Sequence, residues 1–322
     1  MPDLELAGRL KRGLDQVEDV LHTVVSSDIE FIRATASHLM EAGGKRVRPM
    51  LALLAAEFGD PGKPDVITAA ASVELVHIAT LYHDDVMDEA TMRRGAASAN
   101  ARWDNAVAIL AGDYLFANAS RLVSDLGPLA ARIIAETFAE LVTGQMRETV
   151  GPSAGEDPIA HYLSVIDQKT GSLIATAARF GAMSSGADER RIEALRRYGE
   201  IVGAAFQIGD DIIDITSPPT ESGKTPGTDL REGVPTLPTL YAQADMDPAN
   251  ARLRTLLAGP ITDDDLVTEA LGLLRDSQAL ERTRKSLADY ADRARAELAT
   301  LPACSARDAL RAMTDYLVDR TS

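Results

Sequence analysis

Apolar residues recur at spacings of three and four along much of the chain. Leu266, Ala270, Leu273 and Leu274 form one such stripe, and Leu280, Leu287, Ala291, Ala294 and Leu298 another. That period collects them on one face of an α-helix. Prolines leave uninterrupted runs at 3–48, 65–127, 129–151, 159–217 and 261–301, each long enough for one or more helices. Thr262-Asp263-Asp264-Asp265 reads as a helix start, where acids complement the positive end of the helix dipole. Few segments alternate with the period of a strand, and no Asn-Gly or Asp-Gly hairpin dipeptide occurs. The expectation is an all-α fold of roughly a dozen helices, a bundle forming one domain over 1–322.

The run from Asp65 to His83 departs from this amphipathic pattern. It is apolar on nearly every face, broken by Thr68, Ser72, Glu74 and His77. A helix of that kind belongs inside a bundle, and its polar interruptions argue against a membrane span. Ile201 to Ile215 is similar. Both runs end in the same way, with Asp84-Asp85-x-x-Asp88 and Asp210-Asp211-x-x-Asp214. On a helix the first and last aspartates of each cluster share a face, and the middle one stands about 100° away. Like charges so placed destabilise a helix, the more so beside apolar surface. A cation must neutralise them, and carboxylates without cysteine point to a hard ion, Mg²⁺ or Mn²⁺. Mg²⁺ characteristically uses one or two carboxylates and completes its shell with water and substrate phosphates.

Charge sharpens this picture. The net charge of −16 argues against a nucleic-acid partner. A phosphorylated substrate then needs a local basic patch, and candidates exist in Lys45, Arg46 and Arg48, in Arg93-Arg94, in Lys169 and in Lys224. A single cysteine, Cys304, excludes an internal disulfide and suits a reducing, cytoplasmic setting. The N-terminus has no secretory pattern, so any membrane association is expected to be peripheral.

The motifs GGKRVRP (43–49), DDVMDEATMRRG (84–95), GDYLFA (112–117), KTGSL (169–173), FQIGDDIID (206–214) and GKTPGTDLREGVPTLP (223–238) occur in this order. In these the chain resembles the trans-isoprenyl diphosphate synthases of the polyprenyl synthetase family. The resemblance implies an isoprenoid-synthase helical bundle around an apolar cavity, working as a homodimer. It implies that Asp84, Asp88 and Asp210 bind Mg²⁺, about three ions in all, bridging an allylic diphosphate, with Asp85 and Asp214 in support and Asp211 counted in the catalytic set. Lys45, Arg48, His77 and Arg94 would hold the diphosphate of isopentenyl diphosphate. Arg93, Lys169, Thr170, Gln207 and Lys224 would contact the allylic substrate or its leaving group, and Phe206 would lie near the reacting carbons. One departure is Val234, where many short-chain members carry a second lysine.

The reaction so implied is ionisation, attack by the double bond of isopentenyl diphosphate, and proton loss to the released diphosphate. An apolar interior shields the cation from water. In the family, bulky aromatics four and five residues before the first cluster shorten the product. Here those places are Thr80 and Ala79, with Val76 a turn below, and Tyr82 should point to another face. The expected product is a long all-trans chain of C30–C50 from farnesyl or geranylgeranyl diphosphate, of the kind used in quinone side chains. A C15–C20 synthase is the alternative. A class I terpene cyclase would need no second diphosphate site, and a non-catalytic subunit of a hetero-oligomer would lack the aspartate clusters.

Overall fold

A computed structural model describes residues 3–216 and 226–321, which fall into two compact units. The first comprises the chain up to Phe138, Leu173–Gly199 and Leu301–Leu310; the second comprises Ala139–Ser172, Glu200–Thr300 and the chain from Arg311. All but one of the divisions fall within helices, the exception lying between Thr300 and Leu301, so each unit is assembled from several stretches of sequence. Helices dominate both, in agreement with the all-α expectation, and sixteen α-helices are found among the described residues.

The first unit holds α1 (Leu4–Val24), α2 (Glu30–Glu41), α3 (Val47–Ala56), α4 (Pro64–Met87), α5 (Ala99–Arg102) and α6 (Asn105–Asp125). It also holds the first half of α7 (Pro128–Val150), most of α9 (Ser172–Ser185), and the start of α10 (Glu189–Thr216) and of α16 (Ser305–Asp319). α4 is its central element. Pro64 opens it at a position where a missing N–H costs nothing, and Val66, Val73, Leu75, Val76, Ile78, Ala79 and Tyr82 are all buried. The all-round apolar pattern is thus spent on packing. α4 and α6 are each long and apolar enough to cross a membrane by composition alone, but 72% of the apolar window of α4 is buried within the protein.

α4 stops in a defined way. The Ala90 N–H donates to the Asp85 carbonyl and the Glu89 N–H to that of Val86, while Glu89 sits at φ 49°. This is a Schellman ending with glutamate in the place glycine usually takes. A short hairpin follows, pairing β1 (Met92–Arg93) with β2 (Ala96–Ala97). Its turn is Arg94-Gly95, both at positive φ (54° and 78°), as a two-residue hairpin turn requires. The sequence expectation contained no strand; the hairpin forms on an Arg-Gly dipeptide, outside the usual Asn-Gly signal.

The second unit contains the end of α7, α8 (Pro158–Ile166), the end of α10, α11 (Thr228–Glu232), α12 (Leu237–Ala244), α13 (Ala251–Leu256), α14 (Asp264–Arg275), α15 (Gln278–Ala299) and the end of α16. Between α8 and α9 the backbone adopts a π-turn, Asp167–Gly171. Asp263 caps α14, accepting from the N–H groups of Asp265 and Leu266, as its acid run suggested. Ala270 and Leu274 are buried from the first periodic stripe, with Leu280, Leu287, Ala291, Ala294 and Leu298 from the second, whereas Leu266 and Leu273 remain partly exposed. Ile215, Leu230, Leu253, Val267 and Leu271 belong to one core cluster that fastens the end of α10 to the helices that follow.

Candidate active site

The last turn of α4 presents the first aspartate cluster. Asp85 turns inward and is fully buried; Asp84 is half-buried, and the Asp88 side chain is 54% exposed. The Arg93 Nε donates to Asp85 Oδ1 at 2.5 Å, and Arg93 Nη2 lies 3.7 Å from Asp88 Oδ2. Burial pushes the Asp85 carboxyl up, against the pull of Arg93. The hairpin exists, in chemical terms, to bring Arg93 back onto this cluster.

A turn or two earlier on α4, cations gather. His77 and Arg48, the latter on the first turn of α3, lie with Arg94, Arg46 and the buried Glu74. Burial and the nearby Arg48 and Arg94 hold the His77 imidazole well below its usual range, so it is neutral near pH 7. Burial likewise lowers Arg48 and Arg94 from the usual guanidinium range. Arg48 Nε is buried with no hydrogen-bond partner among the described residues. A pocket that crowds guanidinium groups around one carboxylate favours an added anion.

Arg46, to which the resemblance assigned no role, is the anchor of this loop. Its backbone is left-handed at φ 48°, and its guanidinium pairs with Glu18 and, at 3.2 Å, with Glu74. The Arg94 Nη1 donates to the carbonyls of Leu39 (2.9 Å) and Gly43. Leu39 in turn gives its N–H to the Tyr82 hydroxyl at 3.2 Å, and that hydroxyl donates to the Thr35 carbonyl at 2.5 Å. Tyr82 therefore points at α2, away from the Ala79 and Thr80 face, as helix geometry suggested. Lys45 is exposed in the same loop.

Ala79 and Val76 are buried at 1% exposure and Thr80 at 9%. Gly112 of the GDYLFA motif lets α6 approach α4: a Cβ there would stand 2.4 Å from His83 Nε2 and 3.1 Å from the Ala79 carbonyl. A cleft of about 700 Å³ lies elsewhere in this unit, against Arg12, Lys63 and Ile67 near the start of α4. Thr68 on its rim precedes Asp84 by roughly 24 Å of helix, so it is separate from the aspartates.

The second cluster, in the other unit, repeats the inward turn of its middle member. Asp211 is 3% exposed; its Oδ2 accepts from the Tyr162 hydroxyl at 2.5 Å and the Leu237 N–H at 3.1 Å, and its Oδ1 from Gln207 Nε2 at 3.4 Å. Burial pushes this carboxyl up to about 8. Asp211, expected in the catalytic set, is held as a structural acceptor, and Gln207, expected at the substrate, is one of its donors. Asp214 accepts from the N–H groups of Thr228 and Asp229 (3.3 and 3.4 Å), which fixes the start of α11. Asp210 is 44% exposed and pairs with Arg320 at 2.9 Å. Arg320 also lies over the Phe206 ring, 4.7 Å from its centroid. Sequence reasoning missed both Arg320 and Tyr162, whose separations of about a hundred and about fifty residues leave no local signal.

Lys169 lies in the π-turn and pairs with Glu148 at 2.5 Å; Thr170 is half-buried beside it. π-turns of this kind recur at functional positions. Lys224 lies outside the described residues. Val234 is exposed, and Cys304 is a free, half-buried thiol.

Half-exposed carboxylates on helix faces, with a guanidinium-rich pocket on the same helix as the first set, define a helical enzyme suited to diphosphate groups and hard cations. The chain belongs to the polyprenyl synthetase family, whose profile matches residues 29–274. It is accordingly a trans-prenyltransferase. It is 55% identical to a nonaprenyl diphosphate synthase of Mycobacterium tuberculosis over 99% of this chain and 95% of that protein. Among solved structures, a geranylgeranyl pyrophosphate synthase of Corynebacterium glutamicum, complexed with calcium and isoprenyl diphosphate, superposes with a TM-score of 0.90 at 53% identity, covering 99% of this chain and 98% of that one. A decaprenyl diphosphate synthase of Rhodobacter capsulatus gives 0.89 at 37% identity, with 99% of each chain covered.

Proposed function

We propose that the enzyme condenses isopentenyl diphosphate with an allylic diphosphate, farnesyl or geranylgeranyl, to make a long all-trans polyprenyl diphosphate of C30–C50. The observation that carries the reading is the composition of α4. One helix bears a neutral His77 among Arg48, Arg94 and Arg46, small buried side chains at Val76, Ala79 and Thr80 on either side of it, and at its end Asp84, with Asp88 in the cap. A diphosphate bound directly by cations and a diphosphate bound through metal ions are different sites, and a chain-elongating enzyme needs both.

In this reading Lys45, Arg48, His77 and Arg94 hold isopentenyl diphosphate. His77, being neutral, donates a hydrogen bond without adding charge to an already cationic pocket. Arg93, Lys169, Thr170 and Lys224 receive the allylic diphosphate as charge builds on it. Lys169 must first be drawn from Glu148.

The donor set suits Mg²⁺: Asp84, Asp88 and Asp210 are carboxylates, half-exposed or exposed, and offer hard oxygen ligands. Among the described residues no three acidic, histidine or cysteine groups form a closed metal cage. Ligands of this kind are completed by substrate phosphates and water, and the calcium bound in the C. glutamicum relative supports a divalent ion. When bound, the metal supplies Lewis-acid stabilisation of the leaving diphosphate. Released diphosphate takes the proton, so no side chain serves as general base.

The small residues below Asp84 favour a long product, as do the nonaprenyl and decaprenyl relatives, while the geranylgeranyl relative marks C20 as the competing outcome. Ile109 and Leu110 are exposed on α6 and support a homodimer; a cytoplasmic enzyme that releases its product at a membrane surface completes the proposal. Purified protein given farnesyl diphosphate, isopentenyl diphosphate and Mg²⁺ should yield C30–C50 products by chromatography; a stop at C15 or C20 would refute the length. Ala79→Phe should shorten the product, and an unchanged profile would place the growing chain elsewhere.

A further inference from the structure

The three groups that grip Arg320 come from Phe206 and Asp210, one turn apart on α10. Its Nη2 donates to Asp210 Oδ1 at 2.9 Å and to the Phe206 carbonyl at 3.0 Å, and its guanidinium lies 4.7 Å above the Phe206 ring. Gly209 supplies the room, since a Cβ there would stand 2.7 Å from Nη2. The Arg320 side chain is 12% exposed and its buried Nε has no hydrogen-bond partner among the described residues. A long side chain held on three sides loses rotamer freedom, so the fold keeps this cation here at a cost.

Without Arg320, α10 would present Asp210 and Asp214 on one face of a helix beside the buried Asp211. We propose that Arg320 is a resident counter-cation for Asp210, a positioning residue that neutralises the second cluster in the empty enzyme and yields the carboxylate when metal arrives with diphosphate. This rests on Asp210 being a metal ligand, as argued above. A guanidinium on the carboxylate repels a divalent ion and occupies one of its two oxygens, so metal alone binds poorly. Diphosphate brings the negative charge that offsets the repulsion. The stack on Phe206 and the bond to its carbonyl give Arg320 a place to stay once Asp210 is released. Loading of the site is thereby coupled to the last turn of α16, where the Arg320 N–H bonds the Tyr316 carbonyl.

The test is Mn²⁺ binding, followed by electron paramagnetic resonance on the substrate-free enzyme, with and without inorganic diphosphate. Arg320→Gln and Arg320→Met should bind Mn²⁺ alone about fivefold more tightly than wild type, the loss of one partly buried ion pair. Diphosphate should narrow that gap, and Arg320→Lys, which keeps the charge, should behave as wild type. Equal or weaker Mn²⁺ binding by the Gln and Met variants overturns the proposal while leaving Asp210 as a ligand. Wild-type enzyme that takes up no Mn²⁺ in either condition overturns the ligand assignment as well. Should the variants fail to fold, amide exchange in wild-type residues 316–321 decides: faster exchange on adding Mn²⁺ and diphosphate sustains the proposal, and unchanged exchange refutes it.

Discussion

The two aspartate clusters share a spelling, and both turn their middle residue into the protein, but they satisfy it by opposite means. Asp85 is answered by a charge, Arg93, delivered by a hairpin eight residues on, and one of its oxygens has no hydrogen bond among the described residues. Asp211 is answered by neutral donors, the Tyr162 hydroxyl, the Leu237 N–H and the Gln207 amide. Burial is the largest influence on both and pushes both carboxyls up, against Arg93 in one case and against the neutral donors in the other. Asp211, where the like charge of Asp229 adds to burial, is pushed up to about 8. The shared motif therefore has two parts: outer aspartates that stay part-exposed on the helix surface, and an inner one that ties the helix to its unit.

The largest effect expected from this division is on turnover. Replacing an outer aspartate, Asp84→Ala or Asp210→Ala, should lower kcat by about a thousandfold or more, as for loss of a central electrostatic contact, with little change in the thermal midpoint. A midpoint that falls as steeply as the rate would erase the distinction between outer and inner positions. Next comes stability. Arg93→Ala strands a fully buried carboxylate and should cost about 3 kcal/mol in urea unfolding. Tyr162→Phe removes one neutral donor of three and should cost about 1–2 kcal/mol. If the two losses are equal, the charged and neutral solutions do not differ as argued.

Much of the first cluster can be read from the sequence because its parts are close along the chain. Helix geometry places Asp84 and Asp88 together, sets Asp85 about 100° away, and sends Tyr82 to another face. Arg93 lies within reach because so few residues intervene. The second cluster is less legible, since what answers it comes from far away: Tyr162 from α8, Leu237 from the start of α12, and Arg320 from the chain end. No periodicity encodes such meetings. Local backbone form is hidden for a different reason. The left-handed Glu89 and Arg94, and the π-turn under Lys169, depend on how neighbouring elements pack, which overrides residue preference.

A half-buried carboxylate outside the clusters provides the smallest and most discriminating check. Asp167, in the π-turn, is pushed up to about 6 by burial and by the like charge of Glu200; Arg293 pulls the other way only through space. It thus resembles Asp211 in being dominated by burial, without that residue's donors. The folded protein holds this proton more tightly than the unfolded chain, whose carboxyl titrates near the ordinary 3.8. Between those two values the native state binds more protons, so stability falls as pH rises through the window. Above pH 6 the full penalty of the charged form is present. Asp167→Asn should therefore be more stable than wild type at pH 7–8, by about 1 kcal/mol once solvent screening of this part-exposed group is allowed for, and the advantage should vanish below pH 4. Urea denaturation at pH 4, 6 and 8 measures it. A constant difference across the three would mean that the side chain acts through packing, and that the contrast between charged and neutral partners does not extend beyond the clusters.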